Sequence, residues 1–208
     1  MTRPTRVYLL LFIGLVFCLA PSSVFPQSGS IGVFADPNAS DCNVADSGGL
    51  VQVYIWHMHT SGSRGVRFRL NVDSVGWTHL GDLHDFESTE GTSVDGVTVC
   101  WDQCLSGSFQ LMTINFFGSA APACSIVEVD VYPGAGVEAL DCEGNVTNPA
   151  AGRVYVNPDG TCTCTACRTG TETACANKVG TSENSASNFC ATVPVEQSTW
   201  GMIKSFYD

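Results

Sequence analysis

The chain has 208 residues, enough for one domain of ordinary size with flanking segments, and 44% of them are apolar, which excludes wholesale disorder. Nine Lys and Arg stand against 20 Asp and Glu, a net charge of −11 that repels a phosphate backbone and excludes nucleic-acid binding as a primary role. Abundant Gly (21 residues), frequent Thr, Ser, Asn and Val, and the lack of long Ala, Leu, Glu and Lys runs favour strands and turns over helices.

Residues 1–27 read as a secretory signal peptide. Arg3 and Arg6 supply the basic start, and Val7 to Ala20 supply an apolar core (VYLLLFIGLVFCLA) short of the roughly 20 residues that span a bilayer. A retained membrane anchor is the rival reading. Cleavage is expected between Val24 and Ser30, since Pro21 disfavours a cut after Ala20. Loss of the two arginines makes the remainder still more acidic. Phe17 before Cys18 stands where a lipoprotein signal carries a small residue, so no lipid anchor is expected.

Beyond the signal the chain is punctuated like an all-β protein. Ile31–Asp36 reads as a strand and Asp36–Gly49 as turn material. Leu50–His59 (LVQVYIWHMH) reads as a strand apolar on both faces, Ser61–Gly65 as a tight connection, and Val66–Val72 as a strand with one wet face carrying Arg67, Arg69 and Asn71. A short strand over Gly76–Leu80 and a polar, acidic loop over Gly81–Gly91 follow. Ser93–Trp101, Phe109–Phe117, Ile126–Tyr132, Val137–Cys142 and Arg153–Asn157 complete the series. Short strands at regular spacing with Gly, Pro, Asn and Asp between them predict an antiparallel β-sandwich, immunoglobulin-like in the broad sense, over residues 31–164. Residues 165–192 are a Thr- and Ser-rich extension with three cysteines, too poor in apolar area to fold by burial alone. Residues 193–208 form a tail in which Ser198 or Thr199 caps a short helix that Gly201 weakens.

Of the 11 cysteines, Cys18 lies in the signal. The other ten are Cys42, Cys100, Cys104, Cys124, Cys142, Cys162, Cys164, Cys167, Cys175 and Cys190, an even count that reads as a disulfide framework in an exported chain. Zinc at Cys162, Cys164 and Cys167 is the rival, weakened by the lack of a second ligand pair and of a following His. If nine strands simply alternate in direction, Cys42, Cys100, Cys104, Cys162 and Cys164 share one end of the sandwich, and Cys124 and Cys142 the other. Disulfide geometry then predicts a Cys124–Cys142 pair, and for Cys42 a partner among Cys104, Cys162 and Cys164.

No catalytic, cofactor or metal set stands out. His57 and His59 share a strand face at a spacing that can hold a metal, but Val51, Val53 and Ile55 share it too, so core packing is the preferred reading. His79, Asp82, His84 and Asp85 could supply an acid–base pair or hold a cation; solvated loop residues explain them equally. Asp36, Asn38, Ser40 and Asp41 offer oxygen ligands for calcium without the EF-hand glycine and terminal Glu, and an Asx turn is preferred. Ser61-Gly62-Ser63-Arg64-Gly65 lacks the first glycine and the strand–helix context of a nucleophile elbow. Tyr54, Trp56 and Met58 share the face opposite Val51, Val53 and Ile55, either covered by the tail or open to a partner or sugar.

The opening Gly32-Val33-Phe34-Ala35-Asp36, Cys42, Val53-Tyr54-Ile55-Trp56-His57, Cys104-Leu105-Ser106-Gly107, Thr113–Gly118, Asp141-Cys142 and Asn157-Pro158-Asp159-Gly160-Thr161-Cys162-Thr163-Cys164 together resemble a group of uncharacterised secreted β-sandwich proteins of environmental bacteria. The resemblance covers residues 31–164, implies export and a single β domain, and brings no activity. The sequence therefore points to a secreted or cell-surface, non-enzymatic structural or interaction module with a protein or glycan partner. Glycan or calcium binding is the first alternative, and a hydrolase using the His79–Asp85 loop is the second.

Overall fold

Val51, Val53 and Ile55, and further on Val66, Phe68 and Leu70, are at most 6% exposed and point into one core, as period-two alternation requires. The computed structural model describes residues 29–86, 88–162, 176–177 and 189–191. The expected signal peptide, the tail helix, and Cys164, Cys167 and Cys175 lie outside the described residues.

Among the described residues eleven strands follow in chain order: β1 (Ser30–Phe34), β2 (Asn43–Val44), β3 (Gly49–Asn71), β4 (Thr78–Leu83), β5 (Ser88–Thr92), β6 (Gly96–Gly118), β7 (Ser125–Asp130), β8 (Glu138–Leu140), β9 (Val146–Thr147), β10 (Ala150–Val156) and β11 (Ala176–Asn177). A 3-10 turn covers Phe189–Ala191. β3 and β6 are long and bent, and they run antiparallel from Gly49↔Gly118 to Phe68↔Val97, so each serves both layers of the sandwich. One layer reads β4–β6–β3–β1, built on the N-terminal half of β3 and the C-terminal half of β6. The other reads β5–β6–β3 and continues to β8 and β7. β10 pairs parallel with β1 and antiparallel with β7, so β3–β1–β10–β7–β3 closes into a ring on one side. On the other side β4 and β5 are edges among the described residues.

The antiparallel all-β reading stands, apart from the parallel pairs of β10 with β1 and β2, with three corrections to its segmentation. Ser61–Gly65 is not a connection between strands, and nothing turns back between Trp101 and Phe109: β3 and β6 run on through both places with register shifts. The glycines that suggest a turn have another task. A Cβ on Gly62 would stand 2.6 Å from Cys142 Sγ and 3.0 Å from Cys104 Sγ, and one on Gly65 would run into Cys190 Sγ. Both residues are bare because disulfides lie directly over them. Similarly, residues 81–91 are not one loop, since β4 extends to Leu83 and β5 begins at Ser88.

Losing two chain reversals also changes the cysteine geometry. The bonds are Cys104–Cys142, Cys124–Cys162 and Cys100–Cys190, with Cα separations of 5.4, 5.7 and 5.7 Å. The expected Cys124–Cys142 pair is not formed. β8 pairs with β3 at Gly65–Arg67, which carries Cys142 to the level of Gly62, where Leu105 of β6 faces Ser63 and brings Cys104. Cys42 is disulfide-bonded too, but Cys104 and Cys162 are both taken, which removes two of its three expected partners.

The wet face expected for the second half of β3 is largely covered at Arg67, while the Arg69 side chain remains 38% exposed. Arg67 bonds the buried Glu138 and lies 4.8 Å from the Phe189 ring and 5.5 Å from the Tyr132 ring. Arg69 pairs with Asp130. Cys100, Leu140 and Phe189, with Val146 and Cys190 against them, form a second small core on the outside of this layer, and the Cys100–Cys190 bond holds it in place.

Candidate functional site

β4 and the segment after it carry His79, Asp82, His84 and Asp85, and the fold divides them. His79 Nε2 lies 2.8 Å from Asp82 Oδ1. Ser93, in the turn between β5 and β6, donates its hydroxyl to Asp82 Oδ1 (2.7 Å) and its N–H to Asp82 Oδ2 (2.7 Å). His84 turns away, its Nδ1 3.0 Å from the Phe86 carbonyl and 3.3 Å from Thr89 Oγ1. Asp85 is exposed.

Ser93, His79 and Asp82 are the residue types of a hydrolytic triad, but not its geometry. In a triad the serine hydroxyl points at a ring nitrogen whose opposite nitrogen is held by the acid. Here the Asp82 carboxylate accepts the hydrogen bond of the serine hydroxyl, and the same histidine nitrogen faces that same carboxylate oxygen. Ser93 Oγ is 3.5 Å from His79 Nε2 and the residue is fully buried, out of reach of a substrate. The cluster is a latch. It ties the β4 edge to the β5–β6 turn on the side of the sandwich that strand pairing leaves unclosed. The rings of Phe86, Trp101 and Phe109 help to fill that side, with centroids 4.9 and 5.4 Å from Trp101.

Beside the latch lies an open groove of about 440 Å³, lined by Asp82, Leu83, His84 and Asp85 on one bank and Gln110–Thr113 of β6 on the other. It forms where β4 leaves β6 after the Leu83↔Thr113 pair. The groove runs out onto the outer wall of the first layer. There β3 presents Leu50, Gln52 and Tyr54 beside Phe117, Asn115 and Thr113 of β6, with Thr78 and Leu83 of β4 next in register. Every one of these side chains is uncharged. Leu50 is 67% exposed, Leu83 61%, and Phe117 and Leu80 56% each. A polar ladder runs between the apolar groups: Tyr54 Oη donates to Gln52 Oε1 (3.4 Å), Gln52 Nε2 to Asn115 Oδ1 (2.8 Å), and Gln110 Nε2 to Thr113 Oγ1 (2.9 Å). Toward β1 the wall is closed: Phe34 folds over Gly32 and is buried, and Trp56 Nε1 is shielded from solvent.

The remaining sequence candidates fall elsewhere. His57 is fully buried with its ring edge-on to Phe109 at 5.6 Å, while His59 sits exposed at a register shift with φ of 54°, so the two do not share a face. The Asp36 carboxylate accepts from the N–H groups of Asn38 and Ser40, from the Ser40 hydroxyl and, at 2.5 Å, from the Asp41 N–H. This is the Asx-type turn expected. Burial raises its carboxyl, but these bonds together outweigh it and hold the carboxyl below the ordinary range. Cys124, Cys162 and Asp159 have ligand atoms within 4.8 Å of one another. Because the two sulfurs are joined, neither is a thiolate, and the one anionic donor left, Asp159, is occupied by the Thr161 hydroxyl and N–H.

Two important residues have no signal in the sequence. Asp46, 4% exposed, accepts from the Trp77 indole, the Ala121 N–H and the Gly48 N–H at 2.8 Å each. Burial works against its charge, but these bonds outweigh it and lower its pKa. Glu138, 1% exposed, holds Arg67 across to β3.

The described domain is a disulfide-bonded antiparallel β-sandwich with one uncharged, partly apolar wall. No family model matches the sequence, and no curated protein matches it. Among solved structures it is similar to a cohesin module from a family 33 glycoside hydrolase of Clostridium perfringens, with a TM-score of 0.47 and 7% identity over 64% of this chain and 99% of that one. It is also similar to a chain of a type I cohesin–dockerin complex of Clostridium thermocellum, with a TM-score of 0.45 and 14% identity over 62% of this chain and 99% of that one. Likeness at this level carries no argument about partners, and the fold assignment rests on the pairings above.

Proposed function

We propose that this chain is a non-catalytic, extracytoplasmic interaction module that docks through the outer wall of β4, β6 and β3. One observation carries the reading: among the described residues the large exposed hydrophobic side chains, Leu50, Leu80, Leu83 and Phe117, all belong to these three adjacent strands. Exposed apolar groups scattered singly are ordinary, whereas a contiguous set is the mark of a contact surface. Ser93, beside His79 and Asp82, is buried and turned onto the carboxylate, so it is not presented as a nucleophile. The disulfides support assembly in an oxidising compartment.

The experiment is retention. Wild type and the double variant Leu50→Gln, Phe117→Gln are expressed in the producing cells and partitioned between surface and medium. Both positions are exposed, so the variant keeps its melting temperature within a few degrees. Retention of wild type and release of the folded variant is the expected result. Equal partitioning of the two would overturn the reading.

A further inference from the structure

We propose that the occupant of this wall is a second copy of the same chain, packed sheet against sheet about a two-fold axis. The inference rests on the docking role just proposed and adds the identity of the partner.

Charge distribution is the first argument. Each copy carries a net charge of −11, so two copies repel wherever their acidic surfaces approach. Where Leu50–Tyr54 of β3, Thr113–Phe117 of β6 and Thr78–Leu83 of β4 lie in register, the outward side chains Leu50, Gln52, Tyr54, Thr113, Asn115, Phe117, Thr78 and Leu83 are neutral, with Asp85 at the border of the patch. A basic heterologous partner would be met by acidic groups, as complementary interfaces are. A neutral patch in so acidic a chain is a place where like can meet like.

Edge geometry is the second. β4 is the open edge of this layer, and an exposed edge invites pairing strand to strand. It is interrupted by a register shift between His79 and Gly81, with Leu80 as the extra residue. A bulge of this kind blunts edge-to-edge addition, which leaves the face as the surface that can pair. Flat sheets stack with strands aligned to within about 30° and interdigitating side chains, and Leu50, Phe117 and Leu83 stand where such knobs are needed.

Size sets the strength. Three strands about 4.8 Å apart with their side chains, some eight residues long, make a patch on the order of 15 by 25 Å. That is small beside the roughly 800 Å² per partner of a standard interface. The dimer is therefore weak and reversible, and it appears only at raised concentration.

Sedimentation equilibrium on the disulfide-intact mature chain, from low to high micromolar, tests this. The expected result is a rise in average mass from one chain towards two that persists or strengthens when salt is added, since salt screens the repulsion and the contact contains no ion pair. Phe117→Glu and, separately, Leu50→Glu are each expected to weaken association at least tenfold while thiol content and melting temperature stay at wild-type values. A single-chain mass throughout, association that salt abolishes, or association indifferent to both variants would overturn the second copy as occupant. So would a monomer that binds an insoluble neutral polysaccharide and loses it on Phe117→Glu. These results leave the docking reading standing if surface retention still depends on Leu50 and Phe117, whereas loss of that dependence sinks the docking reading itself.

Discussion

Asp46 shows how one buried carboxylate can hold several segments at once. It bonds Gly48 just ahead of β3, Trp77 ahead of β4 and Ala121 ahead of β7, while Asn157 accepts from its N–H and donates to its carbonyl. Asp46→Ala is expected to cost about 3 kcal/mol in urea unfolding, because three donors lose a charged acceptor. The sign with pH follows from the lowered pKa. A carboxylate whose folded pKa lies below the unfolded value of 3.8 contributes stability above 3.8 and loses it as pH falls through the folded value. The stability of the wild type therefore declines more steeply on acidification in this range than that of Asp46→Ala, which a denaturation series against pH would reveal. Gly62 and Gly65 make a separate prediction. Gly62→Ala places a methyl against Cys104 and Cys142, and Gly65→Ala places one against Cys100 and Cys190. Each variant should yield two extra free thiols by alkylation and mass measurement, whereas unchanged thiol counts would show that the sulfurs have room to move.

Among the elements, alternation was the legible part. Val66, Phe68 and Leu70 could be placed in the core from spacing alone, and Leu50–His59, apolar on both faces, marked a strand whose outer side is either covered by the tail or open to a partner. The bends in β3 and β6 were hidden because glycine and serine between apolar runs look the same whether the chain turns back or merely makes room for sulfur. That ambiguity displaced two reversals and with them the cysteine pairing. The latch was hidden for another reason: Asp82 and Ser93 are 11 residues apart and meet across two strands, a contact that no local pattern encodes. Asp82→Ala leaves the buried Ser93 hydroxyl and N–H without their acceptor, a loss of about 1–3 kcal/mol. It should also speed amide exchange in β4 well beyond that in β10. Ser93→Ala should be milder, and neither change should alter turnover of ester, amide or glycoside substrates.

At the scale of the whole molecule the two outer walls have opposite fates. The β5–β6–β3–β8 wall is covered by the chain itself, through Phe189 and the Cys100–Cys190 bond, with Arg67 and Glu138 beneath. Among the described residues the β4–β6–β3 wall is neutral and keeps Leu50, Leu80, Leu83 and Phe117 exposed. Reduction should therefore act unequally: with the Cys100–Cys190 bond broken, Phe189 is no longer tethered over Leu140, while the open wall loses nothing that holds it. The most direct measurement of the docking role is amide hydrogen exchange on the engaged protein, concentrated or held on producing cells, against the same chain free and dilute. Slower exchange concentrated in Thr78–Leu83, with Ser88–Thr92 and Glu138–Leu140 unchanged, is the predicted outcome. Protection on the β5 and β8 side with β4 unaffected would place the contact on the wrong wall and contradict the account.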